Sequence, residues 1–160
     1  MSRNIPLPHP LHWSRRMLLC LSLTWACCTC LANEVLYQQA RSLQREGKFD
    51  EAIETFQKVL SFPVEEENLN TQQQVIYTEA LMQLMNTYQS KGAPEACVIA
   101  LQEVFKTSPV LQNQCLRDYY SVLGYALSRT ENMKEAEETM RKALTLPLNQ
   151  ATPERYFRDY

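Results

Sequence analysis

One pattern recurs three times along the chain, and it constrains the fold more than any other feature of the sequence. Each copy has two stretches in which apolar residues return every three or four positions, separated by a short polar turn. This spacing puts the apolar side chains on one face of a helix, so each copy predicts a pair of antiparallel helices. The copies span about residues 33–63, 78–109 and 117–147. Helix pairs repeated in series predict an all-α solenoid.

The copies also share residue sizes at the points where the two helices approach each other. In the first copy Ala40 and Ala52 are small and Phe56 is large, so a large side chain can fill the space left by a small one on the facing helix. Gly47 permits the left-handed backbone that ends the first helix. Met85 stands where a small residue is expected, so we expect the second hairpin to splay slightly. In the other two copies Gly92 matches Gly47, Gly124 matches Ala40, and Cys97 and Ala136 match Ala52. Tyr88 and Tyr120 occupy the large-residue positions held by Leu43 and Leu36 in the first copy.

This pattern resembles the tetratricopeptide repeat, a helix–turn–helix unit with a 34-residue period. The resemblance implies an α-solenoid of about three helical hairpins, in which Pro109 falls on the terminal site of a repeat and Pro147 lies at the end of the third copy. The third turn has Glu131 and Asn132 in place of glycine, and asparagine tolerates a left-handed backbone.

The copies begin at residues 33, 78 and 117, which is farther apart than one repeat. The extra residues therefore lie between hairpins, first in the segment 61–71 and then after residue 109. We expect part of the first insertion, near 71–76, to lengthen the following helix toward its N-terminus. Residues 152–160 begin with Thr-Pro-Glu, a typical helix start, and predict a short C-terminal helix that would be part of a fourth hairpin.

Residues 1–32 predict an export signal. Arg15 and Arg16 precede an apolar run from Met17 to Leu31, and Ala32 offers a small residue for cleavage. The run is shorter than the roughly 18 to 20 residues that span a bilayer. A retained N-terminal anchor, a twin-arginine signal and lipidation at Cys27 remain as alternatives. Cleavage leaves a domain of residues 33–160 in the periplasm or cell envelope, with no membrane insertion of its own.

The composition of residues 33–160 excludes several classes of function. Both histidines, His9 and His12, lie in the predicted signal, so histidine-dependent catalysis and histidine metal sites are excluded. The three glycines are isolated, which excludes a phosphate-binding loop. Residues 33–160 carry 13 of the 16 basic residues and all 18 acidic ones, a balance that disfavours nucleic acid as a partner. The sequence predicts no enzyme activity, no cofactor and no metal, and it leaves the oligomeric state open.

Cys97 and Cys115 are the two cysteines outside the predicted signal. Cys97 is expected near the start of one helix, and Cys115 beyond the far end of that helix. The two levels are then about 15 Å apart along the axis, whereas a disulfide joins α-carbons within about 7 Å. The pattern therefore favours a buried structural Cys97 over a disulfide bond.

The resemblance implies that the first helix of each hairpin lines a concave surface. Tyrosine and arginine, which dominate binding hot spots, occur on it, and an ordinary hydrated helix face is the alternative interpretation. The resemblance thus predicts a protein or peptide partner. The candidate binding residues are Tyr37, Gln38, Arg41, Arg45, Met82, Asn86, Tyr125 and Arg129.

A second function is also consistent with the sequence. The third hairpin and residues 152–160 resemble the extracytoplasmic tetratricopeptide region of bacterial two-component sensor histidine kinases. The resemblance implies that the chain is a truncated sensor region, with any signalling activity in sequence beyond it.

Overall fold

The computed structural model describes residues 31–63 and 70–147, and within these ranges the chain forms helices and no strand. All but the last two residues of the predicted signal, and the predicted helix 152–160, lie outside the described residues. The helices are α1 (31–45), α2 (Phe49–Leu60), α3 (Thr71–Ser90), α4 (Pro94–Thr107), α5 (Pro109–Asn113), α6 (Leu116–Ser128) and α7 (Met133–Thr145). The predicted all-α repeat fold is confirmed, with α1–α2, α3–α4 and α6–α7 as the hairpins.

The hairpin turns follow two different designs. Gly47 and Gly92 have φ angles of 75° and 67°, and both lie in the left-handed region that ends a helix. The prediction of a left-handed backbone at Asn132 is wrong, since the φ angle of this residue is −94°. There the hydroxyl of Thr130 donates to the carbonyl oxygen of Leu127 at 2.7 Å and accepts from the Asn132 amide at 3.3 Å. This side chain closes the third turn without a left-handed residue.

Helix α3 is longer than a repeat requires, as the sequence predicts. It starts at Thr71, one residue after Asn70, whose side chain accepts a hydrogen bond from the Gln73 amide at 2.9 Å. The Gln73 side chain in turn accepts from the Asn70 amide at 3.1 Å, which completes a capping box. The extra N-terminal turn carries the buried Tyr77, whose hydroxyl donates to the Phe62 carbonyl oxygen at 2.8 Å and ties α3 to the end of α2.

The insertion after the second hairpin forms α5, which the sequence did not predict. Pro109 was expected to end the repeat, but it occupies the first turn of this five-residue helix. Val110 and Leu111 on α5 are buried. The Gln112 side chain donates to the Phe105 carbonyl oxygen at 2.7 Å, near the C-terminal end of α4.

The core lies between the helices of the hairpins and continues from one hairpin to the next. Ala40, Ala52 and Phe56 are fully buried, as their repeat positions predict. Met85 is also buried, and α3 packs less extensively on α4 than α6 packs on α7. The bulk of Met85 at a small-residue position agrees with this looser second hairpin.

Gly124 lies at a close approach between the two helices of the third hairpin. A β-carbon placed on Gly124 would lie 2.6 Å from Met140 Cγ and 3.3 Å from the Met140 backbone nitrogen. The small residue expected at this repeat position is therefore required by the packing of α7 on α6.

Candidate binding faces

The first helices of the three hairpins lie side by side, joined by polar contacts between their side chains. Between α1 and α3, the Tyr37 hydroxyl donates to Glu79 Oε2 at 2.8 Å, and Gln44 Nε2 donates to Thr87 Oγ1 at 2.9 Å. Between α3 and α6, the Thr78 hydroxyl donates to Asp118 Oδ2 at 2.8 Å. These contacts hold α1, α3 and α6 in register and form one continuous surface from them.

The contact between Thr78 and Asp118 is buried, with 2% and 1% of the two residues exposed. A carboxylate away from water is costly unless it accepts hydrogen bonds, so the hydroxyl of Thr78 is important for this pair. The pair fixes the position of α6 against α3.

The structure divides the predicted binding residues into two groups. Tyr37 and Met82 are only 7% and 8% exposed and belong to the core. They pack beneath the surface and are not available for direct contact with a partner. The others reach the surface: Gln38, Arg45 and Arg129 are exposed, and Arg41, Asn86 and Tyr125 are half-buried. We call these six residues the A-helix face.

Three residues of the A-helix face occupy the same repeat position on successive helices. Arg41 lies on α1, Asn86 on α3 and Tyr125 on α6, and polar contacts join these helices side by side. Equal repeat positions on helices packed side by side are expected to form a row across them. The Arg41 guanidinium donates to Gln44 Oε1 at 3.3 Å, and Gln44 also bonds to α3. Arg41 is therefore oriented by the same side chain that joins the first two helices.

The thiols of Cys97 and Cys115 and the hydroxyl of Tyr119 are held in their neutral forms. Burial raises the pKa of the Cys97 thiol to about 12, and burial together with the nearby Asp118 carboxylate raises that of Cys115 to about 12. Burial also raises the pKa of Tyr119 to about 12, and its ring stacks on Phe105 with centroids 4.1 Å apart. Cys97 and Cys115 are both buried and are not bonded to each other. Because thiolates are the reactive form, these thiols are poor nucleophiles at neutral pH.

A groove that the sequence did not reveal lies between α4 and the turn that joins α6 to α7. Its volume is about 730 Å³. One wall is the face of α4 with residues at i, i+3, i+4 and i+7, and the other is formed by the end of α6, the turn and the start of α7. We call it the α4–α7 groove; it is lined by Glu95, Val98, Ile99, Gln102, Leu127, Thr130, Glu131, Asn132 and Glu135. The one signal in the sequence is Ile99, an apolar residue on the outer side of a surface helix.

Within the described residues, no group of His, Cys, Asp and Glu side chains is arranged to hold a metal ion. None of the described helices has the length and apolar character needed to cross a membrane.

Comparison with known families agrees with the geometry of the hairpins. Residues 34–62 and residues 118–150 each match a family model described as tetratricopeptide repeat. These two matches coincide with the first and third hairpins. No curated protein matches the chain. The family matches and the helical hairpins together support a tetratricopeptide repeat protein with an all-α helical repeat fold.

Proposed function

We propose that this protein is a non-catalytic scaffold that binds a segment of a peptide or protein partner on the A-helix face. Tetratricopeptide repeats generally mediate protein interactions and are generally not catalytic. The observation that carries the proposal is the row formed by Arg41, Asn86 and Tyr125 across three neighbouring helices. A row of this kind suits an extended segment that crosses the helices.

The chemistry of the face favours a partner that presents carboxylates beside an aromatic or apolar side chain. Arg41, Arg45 and Arg129 supply guanidinium groups, which bind carboxylates with two parallel hydrogen bonds. The half-buried ring of Tyr125 offers apolar area at a low cost in conformational entropy. The buried Tyr37 contributes by holding α1 against α3, so it acts through the shape of the face.

We propose further that the scaffold works outside the cytoplasm, in the periplasm or cell envelope. The support is the pattern of residues 1–32, in which an arginine pair precedes a short apolar run. Fractionation of cells that express the full chain with a C-terminal tag tests this, and the mass of the exported species tests cleavage after Ala32. Recovery of the intact chain from the cytoplasm would contradict it. The alternative of a truncated sensor region is based on the resemblance of the third hairpin and residues 152–160, and it stays a prediction.

The binding proposal is tested by selecting short random peptides displayed on phage against the full-length protein. We expect enrichment of peptides that combine Asp or Glu with aromatic residues. The double variant Arg41→Glu, Arg129→Glu should weaken the best peptide by about tenfold or more, which is about 1.4 kcal/mol. The matched control is Lys58→Glu, Lys134→Glu, which makes the same charge change at exposed residues of α2 and α7.

Circular dichroism and the affinity of the control variant distinguish loss of the binding site from unfolding and from a general effect of charge. Far-UV circular dichroism of both double variants should match that of the unmodified protein, because all four side chains lie at the surface or half-buried. Equal loss of affinity in the control would mean that net charge alone drives binding. Unchanged affinity in the Arg41→Glu, Arg129→Glu variant would remove the A-helix face as the binding site.

A further inference from the structure

Three apolar side chains line the α4–α7 groove. Leu127 is buried in the wall formed by the end of α6, and on the wall formed by α4 Val98 is half-buried and Ile99 is 61% exposed. A partner that covers an exposed isoleucine gains binding free energy, because the covered apolar area is removed from water. The groove therefore has an apolar anchor point that the fold itself does not use.

The walls of the groove carry one sign of charge. Glu95 lies on α4, Glu131 lies in the turn, and Glu135 lies in the first turn of α7, and all three are exposed. The groove lining contains no lysine or arginine. Carboxylates and apolar side chains on both walls complement a cationic ligand that also carries an apolar side chain.

The turn wall is held in place by its own hydrogen bonds. The Asn132 side chain donates to Glu135 Oε2 at 2.9 Å, and the Thr130 hydroxyl anchors the turn to the end of α6 at 2.7 Å. A wall that is already ordered loses little conformational entropy when a partner binds.

We propose that the α4–α7 groove is a second binding site, which takes a segment of a partner protein with a bulky apolar side chain flanked by Lys or Arg. The apolar side chain covers Ile99 and Val98, and the flanking cations lie against Glu95 and Glu131. The groove uses α4 and the α6–α7 turn, so it shares no residue with the A-helix face and does not depend on the function proposed for that face.

The experiment uses the full chain and three synthetic peptides. The probe carries Lys-Leu-Lys in a Gly/Ser background, and the two comparison peptides carry Lys-Ser-Lys and Glu-Leu-Glu. Titrations are followed by NMR, with methyl resonances of Val98, Ile99 and Leu127 as reporters. We expect saturable shifts of these methyls with the probe, and affinity at least tenfold lower for each comparison peptide. The proposal is wrong if the probe gives no saturable shift, or if Glu-Leu-Glu binds equally well.

The apolar contact is tested by Ile99→Ser against the matched control Leu144→Ser. Leu144 lies on α7, outside the groove lining, and is 74% exposed, so both substitutions remove an exposed aliphatic side chain. We expect Ile99→Ser to weaken the probe at least tenfold and Leu144→Ser to change it less than twofold. Equal effects of the two substitutions would overturn the proposal.

The charge contact is tested by Glu95→Gln with Glu131→Gln against Glu54→Gln with Glu138→Gln. The control pair consists of exposed glutamates on α2 and α7 and makes the same change in net charge. We expect the first pair alone to weaken the probe at least fivefold and to remove most of its dependence on salt, since exposed ion pairs are screened. If the affinity for the probe depends on salt to the same extent in both double variants, the groove glutamates are not the residues that contact the lysines of the probe.

A second copy of this chain is the competing occupant of the groove. Sedimentation velocity over a range of protein concentrations distinguishes it. If the protein dimerises and Ile99→Ser makes it monomeric, the groove is a self-association surface and the proposal for a cationic partner is overturned. If the sedimentation coefficient of the Ile99→Ser variant equals that of the unmodified protein at each concentration, the groove is not a self-association surface. That result supports the proposal, together with the peptide titrations.

Discussion

Substitution of Gly124 by alanine tests how closely α6 and α7 pack. Gly124 lies inside α6, so alanine should improve the helix itself by about 1 kcal/mol. The new β-carbon would lie 2.6 Å from Met140 Cγ and 3.5 Å from the Ala136 carbonyl oxygen. The higher helix propensity of alanine therefore stabilises α6, whereas the contact of its β-carbon with Met140 destabilises the packing of α6 on α7.

The steric cost should win by a small margin. Overpacking at a closed contact costs typically about 1–3 kcal/mol, and Met140 is 36% exposed, so its side chain has room to rotate and relieve part of the contact. Its backbone nitrogen, at 3.3 Å from the added atom, cannot move away so easily. We expect Gly124→Ala to lower the free energy of unfolding by about 1 kcal/mol, the difference between about 2 of strain and about 1 of helix propensity.

A double-mutant cycle with Met140→Ala isolates the contact. Met140→Ala removes the Cγ atom, so Gly124→Ala in that background should be neutral or stabilising by up to about 1 kcal/mol. The coupling energy is then about 1–2 kcal/mol, measured by urea denaturation followed by far-UV circular dichroism. A coupling energy below about 0.5 kcal/mol would mean independent sites, and would refute the close approach at Gly124.

Three further predictions concern the buried pair, the first turn and the thiols. Thr78→Val should lower the free energy of unfolding in urea by about 1.5–3 kcal/mol, because a buried carboxylate loses its hydroxyl donor. Gly47→Ala should cost about 1–2 kcal/mol in the same assay, and Gly47→Asn less, because the φ of 75° excludes most side chains although open space surrounds the residue. Raising the pH from about 8 to about 10 should destabilise the protein by about 1.4 kcal/mol for each buried thiol, measured by urea denaturation at each pH. The pKa of Cys97 and Cys115 is about 12 in the fold against an ordinary 9.0, so the unfolded chain loses these protons first and stability falls as the pH rises above 9.

Each of these predictions has a control in the chain. Thr55→Val removes a hydroxyl that donates within its own helix, to the Glu51 carbonyl oxygen at 2.7 Å, and should cost less than Thr78→Val. A cost as large as that of Thr78→Val would contradict the special role of the buried pair. Equal stability of Gly47→Ala and Gly47→Asn would contradict the turn argument. The double variant Cys97→Ala, Cys115→Ala should flatten the alkaline pH dependence, and an unchanged slope would assign it to other groups.

The hairpins could be predicted from sequence because their signals are local. The period of the apolar residues and the small side chains at Ala40, Ala52 and Gly124 report on helices that are neighbours along the chain. The short helix α5 could not be predicted in the same way. Pro109 is equally suitable at the end of one repeat and in the first turn of a helix, and only the burial of Val110 against the rest of the core favours the helix.

Which residues of the A-helix face are exposed was only partly predictable. The repeat register shows on which side of its helix a residue lies, but not how closely that helix packs on the neighbouring helix. Tyr37 points toward α3, close enough for its hydroxyl to reach Glu79, and this proximity buries it. Arg41, one helical turn further along, stays half-buried and available to a partner. The difference depends on the packing of α1 on α3, which involves residues 42 positions apart.

The α4–α7 groove could not be predicted because its walls come from two different hairpins, so its shape depends on packing between residues that are far apart along the chain. Its charge is opposite to that of the A-helix face: glutamates line the groove, whereas Arg41, Arg45 and Arg129 lie on the other surface. A segment that suits one surface is therefore electrostatically unsuited to the other. An acidic peptide selected on the A-helix face should leave the affinity for the Lys-Leu-Lys probe unchanged at one fixed salt concentration, after the direct association of the two peptides, measured without protein, has been subtracted. Competition between the two peptides would mean that they share one site, and the division of this protein into two binding surfaces would then be wrong.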